Sequence, residues 1–153
     1  MTASSPADIR NLARFRYALR KFLHTSDEAA RRAGLTPQQH QLLLGVAGFT
    51  GQNWATIGEL ADFLQVRHHS VVGLIDRAED MGLVRREANP DDRREVRVSL
   101  TSDGMRKLRA LTELHRTELN AMRRGVNLPH FEREGTPKEY AKPASKGRGR
   151  RGS

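Results

Sequence analysis

The sequence contains no cysteine. That absence excludes disulfide staples, thiolate metal ligands, a thiol nucleophile and a cysteine redox switch, and it is compatible with the cytoplasm. Long apolar runs are missing as well. The longest, Leu42-Leu43-Leu44-Gly45-Val46-Ala47-Gly48-Phe49, falls far short of the roughly 20 residues a spanning helix needs, so no membrane partner is expected. The stretch from Met1 to Asp8 has neither a basic start nor an apolar core of about 7–15 residues. No secretory signal is expected there, and the expected location is cytoplasmic. Catalytic signatures are also absent: no Ser-His-Asp order sits on a nucleophile elbow, and no glycine-rich phosphate loop occurs. An enzyme is not expected, nor is a cofactor.

What the chain has in excess is positive charge. Its 27 Lys and Arg outnumber 18 Asp and Glu for a net +9, which points to an anionic partner, nucleic acid first. The charge is unevenly placed. Residues 123–153 hold nine basic and three acidic side chains, so +6 of the +9 sits in a segment with only six apolar residues. That segment cannot carry a core and is expected to be a basic, mostly disordered tail, acting either as a phosphate-binding arm or as a solubilising end. Residues 1–7 are expected to be disordered too. The 153-residue length suits one domain, which is placed at residues 8–122.

Within that domain the hydrophobic period changes in a fixed order. From Asp8 to Ala33, Ile9, Leu12, Phe15, Leu19, Phe22 and Leu23 recur at spacings of three and four, which predicts a long amphipathic helix. Thr36-Pro37-Gln38-Gln39 is a capping box that opens a second helix to about Gly48, and Thr56-Ile57-Gly58-Glu59 opens a short third, Ile57 to Leu64. After the step Gln65-Val66, a fourth helix is predicted from about Arg67 to Met81, stopped by Gly82. Residues 83–100 then alternate around the turn signal Asn89-Pro90-Asp91-Asp92, a β-hairpin. Thr101 caps a last long helix marked by Met105, Leu108, Leu111, His115, Leu119 and Met122. The loop Thr50-Gly51-Gln52-Asn53-Trp54 is read as loop.

The fold class is therefore mainly α with a small β-hairpin wing: a winged helix-turn-helix, flanked by long N- and C-terminal helices. A helix fits the roughly 12 Å major groove and aims its first turn at base edges. Here that turn is Arg67-His68-His69-Ser70. Arg67 can donate a bidentate pair to guanine, the histidines can donate or accept, and Ser70 can bond a phosphate or cap the helix. An arginine on the projecting wing, Arg93 or Arg94, can enter the minor groove, where the negative potential is strongest. Yet residues 67–97 contain seven Arg and seven Asp or Glu. Binding thus requires Asp76, Glu79, Asp80 and Glu87 to turn away from DNA or pair with arginine. A metal site is not expected: His68 and His69 diverge by about 100° on a helix, and His24, His40 and His115 stand apart in sequence.

The ordered set Leu35-Thr36-Pro37-Gln38-Gln39, Glu59-Leu60-Ala61, Val71-Val72-Gly73-Leu74-Ile75-Asp76-Arg77, Gly82-Leu83-Val84-Arg85-Arg86, Asn89-Pro90-Asp91-Asp92-Arg93-Arg94 and Leu100-Thr101-Ser102-Asp103-Gly104 resembles the MarR family of bacterial transcriptional regulators. The resemblance spans roughly residues 9–120. It implies a homodimer, joined through helices from both termini, that binds palindromic double-stranded operators and usually represses transcription. It also implies that Arg67 to Arg77 form the recognition helix, that Arg94 is the wing arginine, and that Arg77 anchors phosphate or an acidic neighbour. A small-molecule effector pocket would lie between the dimer helices and the helix-turn-helix, near apolar residues such as Phe15, Phe22 and Trp54. The dimer surface would use Ile9, Leu12, Phe15, Leu19, Leu111, His115, Leu119 and Met122. Two departures stand out. Ala78 replaces the usual Leu, and Gly125-Val126-Asn127-Leu128-Pro129 interrupts the usual sixth helix, leaving at most a remnant such as Leu128 and Phe131. The alternative is a non-specific architectural nucleic-acid-binding protein driven by the basic tail.

Overall fold

The computed structural model describes residues 4–125, and the expected disordered tail, with Leu128 and Phe131, lies almost wholly outside them. The chain runs through α1 (Pro6–Arg32), α2 (Pro37–Leu44), a π-helical turn (Gly45–Phe49), β1 (Trp54–Thr56), α3 (Ile57–Leu64), α4 (His68–Asp80), β2 (Val84–Asn89), β3 (Asp92–Leu100) and α5 (Ser102–Gly125). Local chemistry sets most of these boundaries. Helix α1 opens on a capping box in which the Asp8 amide donates to Ser5 Oγ at 3.2 Å and the Ser5 amide donates to Asp8 Oδ2 at 2.8 Å. The helix therefore starts at Pro6, which corrects the expected disorder of residues 1–7 at its end. It closes where Gly34, at φ +80°, lets the Leu35 amide reach the Ala30 carbonyl at 2.9 Å.

Capping boxes also open α2, with Thr36 and Gln39, and α3, with Thr56 and Glu59. Between them the wider π turn brings Phe49 against Phe63, ring centroids 5.1 Å apart. Glycine at position 45 lets the Phe63 ring pack closely, since a Cβ there would lie 2.7 Å from that ring, which would have to shift. Gln65, at φ 55°, makes the left-handed turn from α3 to α4.

The sheet has three strands in the order β1-β3-β2, all antiparallel. Strand β1 corrects the expected loop ending at Trp54. Ala55 faces Val98 and is fully buried, so three residues suffice to seal the hairpin onto the helices. The wing turn falls at Pro90-Asp91 as expected, with the Asp91 amide donating to Asn89 Oδ1 at 2.9 Å.

One core joins all of this. Leu42 and Leu43 of α2, Leu60 of α3, Val71 and Ile75 of α4, Leu83, and Val98 of β3 are all fully buried together, with Leu108 and Leu111 of α5 closing one side. Ala78, the departure from the usual leucine, is fully buried in the same cluster. Much of α1 takes no part: among its residues only Ala18, Ala29 and Ala30 are buried, while Ile9, Leu12, Tyr17 and Leu23 are exposed. No helix among the described residues is long and apolar enough to cross a membrane.

The sheet hands over to α5 at a tight junction. The Thr101 hydroxyl donates to the Gly82 carbonyl at 2.6 Å and accepts from the Gly104 amide at 3.1 Å, and the Thr101 amide donates to the Leu83 carbonyl at 3.0 Å. A Cβ at position 104 would lie 2.1 Å from that same Leu83 carbonyl oxygen, and backbone cannot swing away as a side chain can. Gly104→Ala is therefore expected to lower the free energy of unfolding by about 1–3 kcal/mol or more, despite alanine's better helix propensity. Urea unfolding followed by circular dichroism measures it, and an unchanged or raised midpoint would contradict the junction as drawn.

Candidate nucleic-acid interface

Helix α4 begins one residue later than the sequence implies, because Arg67 is its N-cap with extended backbone, φ −72° and ψ 152°. The Arg67 carbonyl accepts from the amides of Ser70 and Val71 at 3.0 and 3.2 Å. No side chain caps the helix start. Ser70 therefore does not act as a cap, and its hydroxyl is left to solvent. An arginine at the cap can only donate, so the first-turn amides keep their positive end uncovered. Arg67, His68, His69, Ser70 and Arg77 are all exposed. Val71, Leu74, Ile75 and Ala78 turn the other face of α4 into the core. The same helix is thus anchored on one side and open on the other.

Arg93 and Arg94 lie at the start of β3, both exposed, next to the wing turn. The wing acids are used locally: Asp92 Oδ1 accepts the Arg94 amide at 3.0 Å, and Asn89 Nδ2 donates to Glu95 Oε1 at 3.2 Å. Arg97 reaches Glu95 at 3.4 Å and lies over the Trp54 ring, 4.1 Å from its centroid. Trp54 thus packs within the sheet, under Arg97.

The charge balance of residues 67–97 resolves through one residue that the sequence reading did not single out. Arg86, on β2, pairs with Asp76 and with Glu79, the latter at 3.1 Å, and its own amide donates to Glu79 Oε2 at 3.0 Å. Its Nη2 also reaches the Val72 carbonyl at 3.5 Å. Partial burial pulls the Arg86 pKa down, but Asp76 and Glu79 outweigh it and hold the guanidinium above its ordinary range. Glu87 pairs with Arg85 at 3.0 Å. Within residues 67–97, the arginines that make no ion pair among the described residues are then Arg67, Arg77, Arg93 and Arg94, the four expected to meet DNA. Of the two partners expected for Arg77, an acidic neighbour is not found among the described residues.

The eight residues assigned to a dimer surface separate. Ile9, Leu12 and Leu119 are exposed, and Phe15, Leu19 and Met122 are half-buried. Leu111 and His115, by contrast, are only 4% and 8% exposed inside the chain's own fold, so their place is in the protomer core. The α5 stripe is shared: Leu108, Leu111 and His115 are buried in the chain's own fold, whereas Leu119 beyond them is exposed. Between α1 and the end of α5 lies a groove of about 940 Å³ lined by Tyr17, Phe22, Met122, Arg14, Lys21 and Glu118, among others. Phe22 is part of it, whereas Phe15 is not. Among the described residues no three His, Asp or Glu gather where they could hold a metal.

A family model described as MarR family matches residues 33–95. The transcriptional activatory protein BadR of Rhodopseudomonas palustris is 34% identical over 104 residues, which are 67% of this chain and 59% of that protein. The chain thus spans about three-fifths of that relative's length. Two solved structures share the fold. AbsC, a MarR family transcriptional regulator from Streptomyces coelicolor, superposes with a TM-score of 0.64 at 20% identity, covering 80% of this chain and 82% of that one. A mutant MarR from E. coli, complexed with operator DNA, gives 0.61 at 22% identity, covering 82% and 89%.

The clamp carries its own test. Arg86→Met is expected to cost about 1 kcal/mol of stability, since Asp76 and Glu79 are partly exposed. It should weaken duplex binding more than that, because two carboxylates are set free on the reading helix. Adding Asp76→Asn and Glu79→Gln should restore duplex affinity without restoring stability. Anisotropy and urea unfolding on the three proteins separate the two effects, and equal recovery of both would contradict it.

Proposed function

Through residues 33–95 the chain belongs to the MarR family, and from that premise we propose that it is a sequence-specific, double-stranded DNA-binding transcriptional regulator acting as a homodimer on a palindromic operator. The observation that carries the reading is the segregation of arginines. Four arginines of residues 67–97 that make no ion pair among the described residues lie on the uncapped start and outer face of α4 and on the wing, while Arg86 holds Asp76 and Glu79 of α4. Arg67, His68, His69 and Ser70 read base edges and phosphates in the major groove, Arg77 holds backbone phosphate, and Arg94 enters the minor groove with Arg93 beside it. The first-turn amides of α4 supply a further phosphate contact.

The dimer forms through Ile9 and Leu12 of α1 and Leu119 of α5, which are exposed among the described residues, with the half-buried Phe15, Leu19 and Met122. Two copies of α4 would then enter successive major grooves about 34–36 Å apart. Binding across a promoter gives repression; the relative BadR is named an activatory protein, so an operator placed upstream of the promoter would give the opposite sign. The α1–α5 groove is the site for a small-molecule effector, which would act only through a difference in affinity between the DNA-competent spacing and another.

The architectural reading retains one observation in its favour, the +6 charge of residues 123–153. Arg67→Ala discriminates. On the sequence-specific reading it lowers affinity for a selected duplex by about 1–3 kcal/mol and shrinks the ratio of specific to random binding. An unchanged ratio, together with loss of all binding on truncation after Gly125, would favour the architectural protein. The dimer has a separate test. Leu12→Glu with Leu119→Glu should yield a folded monomer by sedimentation, with affinity for a full palindrome falling towards that for a half-site. A dimer that persists unchanged would place the interface elsewhere.

A further inference from the structure

Where α1, α2 and α5 meet, the structure holds a feature that DNA reading does not use. The rings of His40 on α2 and His115 on α5 stack with centroids 5.1 Å apart and planes 12° from parallel. Phe22 of α1 meets His115 edge-on at 5.8 Å. Both histidines are buried, and Nε2 of each is enclosed with no hydrogen-bond partner among the described residues. Folding thus removes water from two ring nitrogens without replacing it, a cost that apolar side chains of the same shape would not incur. The pair does not suit a metal ion. An imidazole lone pair lies in its ring plane, so two nearly parallel stacked rings aim theirs in separate planes, and no third donor joins them among the described residues. The ligand that each ring can take singly is a proton.

We propose that the His40–His115 stack is a proton-sensitive joint between the long helices α1 and α5 and the helix-turn-helix, so that acidification loosens it and weakens DNA binding. The link to DNA rests on the function proposed above, but the joint itself does not. Burial first, and then the neighbouring His115, hold the His40 imidazole below its ordinary value of 6.5, while Asp27 of α1 pulls the other way. Glu118, three residues beyond His115 on α5, has Oε2 enclosed and unpartnered among the described residues, and Arg14 and Lys21 of α1 line the same groove as Glu118 and Phe22. His24 on the outside of α1 is engaged with Glu28 at 3.3 Å. Well above pH 6.5 the folded and unfolded chains both keep His40 neutral, and the stack has its full strength. As the pH falls through 6.5 towards the lower folded value, the unfolded chain takes up the proton first, and the joint loses stability. A protonated His40 regains a hydrogen bond only by leaving the stack, towards Asp27 or water.

Movement of His40 reaches the reading helix along a short path. Gln39, its neighbour on α2, donates from Nε2 to the Met81 sulfur at 3.2 Å, at the C-terminal end of α4. The exposed His68 and His69 cannot produce the same effect. Positive charge at those positions would favour a phosphate backbone, the opposite sign of effect.

The test uses the full chain and a duplex that it selects from a random-sequence pool at about pH 7.5. Anisotropy from about pH 8 to about pH 5.5 should show the wild type losing about fivefold or more in affinity on acidification. His40→Phe keeps an aromatic stack without a titrating ring and should be flat or slightly tighter in acid. His115→Phe removes the neighbouring imidazole and should move the acid limb to higher pH. Histidine ring resonances of the wild type report independently of any variant's folding, with His40 titrating below 6.5. The proposal is overturned if folded His40→Phe keeps the full acid loss, if the wild type shows none, or if the His40 resonance titrates at its ordinary value and ignores His115→Phe. Selection of no duplex at about pH 7.5 would count against the DNA-binding reading alone. The resonances, and thermal unfolding against pH, would still decide the joint.

Discussion

The reading surface depends on Arg86 holding α4 and the wing in one relation. A guanidinium is a planar fork of five donors, and this one is used on three sides: Asp76 and Glu79 accept from it, and the Val72 carbonyl lies at its edge. Its backbone amide adds a fourth tie, to the second oxygen of Glu79. Residues 72, 76 and 79 climb two turns of α4, so a single β2 side chain fixes both the tilt of the helix and its rotation against the hairpin. A lysine could satisfy one of these acceptors but not their joint geometry. The clamp also has an electrostatic consequence, since it partly neutralises two carboxylates of α4 that, on the proposed reading, would otherwise repel a phosphate backbone.

That consequence changes how the charge of the chain should be read. The net +9 is a property mostly of residues 123–153, and the stretch from Arg67 to Arg97 is neutral in total. Neutrality in sequence nevertheless becomes asymmetry in space. Five of the seven acids are engaged: Asp76 and Glu79 by Arg86, Glu87 by Arg85, Glu95 by Arg97, and Asp92 by a backbone amide of the wing turn. The helix start then presents an arginine in place of a capping acceptor, although α1, α2 and α3 all have full capping boxes. Local arrangement, more than total charge, makes this surface fit for a polyanion.

Much of this was legible in the sequence where the signal is local. Thr36 with Gln39, and Thr56 with Glu59, mark helix starts to the residue, and Asn89-Pro90 marks the wing turn, because caps and turns are settled by side chains three or four positions away. Strand β1 was not legible, because three residues are too few to show alternation and its partner β3 lies over 40 positions on. Arg86 was hidden for a different reason. Seven arginines among seven acids permit many pairings, and only the placement of β2 beside α4 selects one. Leu111 and His115 show a third limit. Helical spacing identifies an apolar face but not what covers it, so core residues on α5 and exposed ones such as Leu119 share one stripe.

Helix α2 explains how signals from the long helices could reach the reading surface. It has only eight residues, about two turns, and it packs against α1, α3, α4 and α5 at once. With so few side chains, adjacent residues must serve different neighbours: His40 meets His115 of α5, Gln39 meets Met81 at the end of α4, and Leu42 and Leu43 fill the common core. Native packing at near-crystalline density leaves such an element little freedom to adjust one contact alone. On the proposed reading, an effector in the α1–α5 groove and a proton at His40 both act where α1 and α5 meet. Linkage then requires reciprocity: an effector that favours the loosened form of this junction must also favour protonation of His40, by the same factor that protonation improves effector binding. On that reading the two inputs are two ligands of one joint, and α2, which packs against both α5 and α4, is a short path from it to α4.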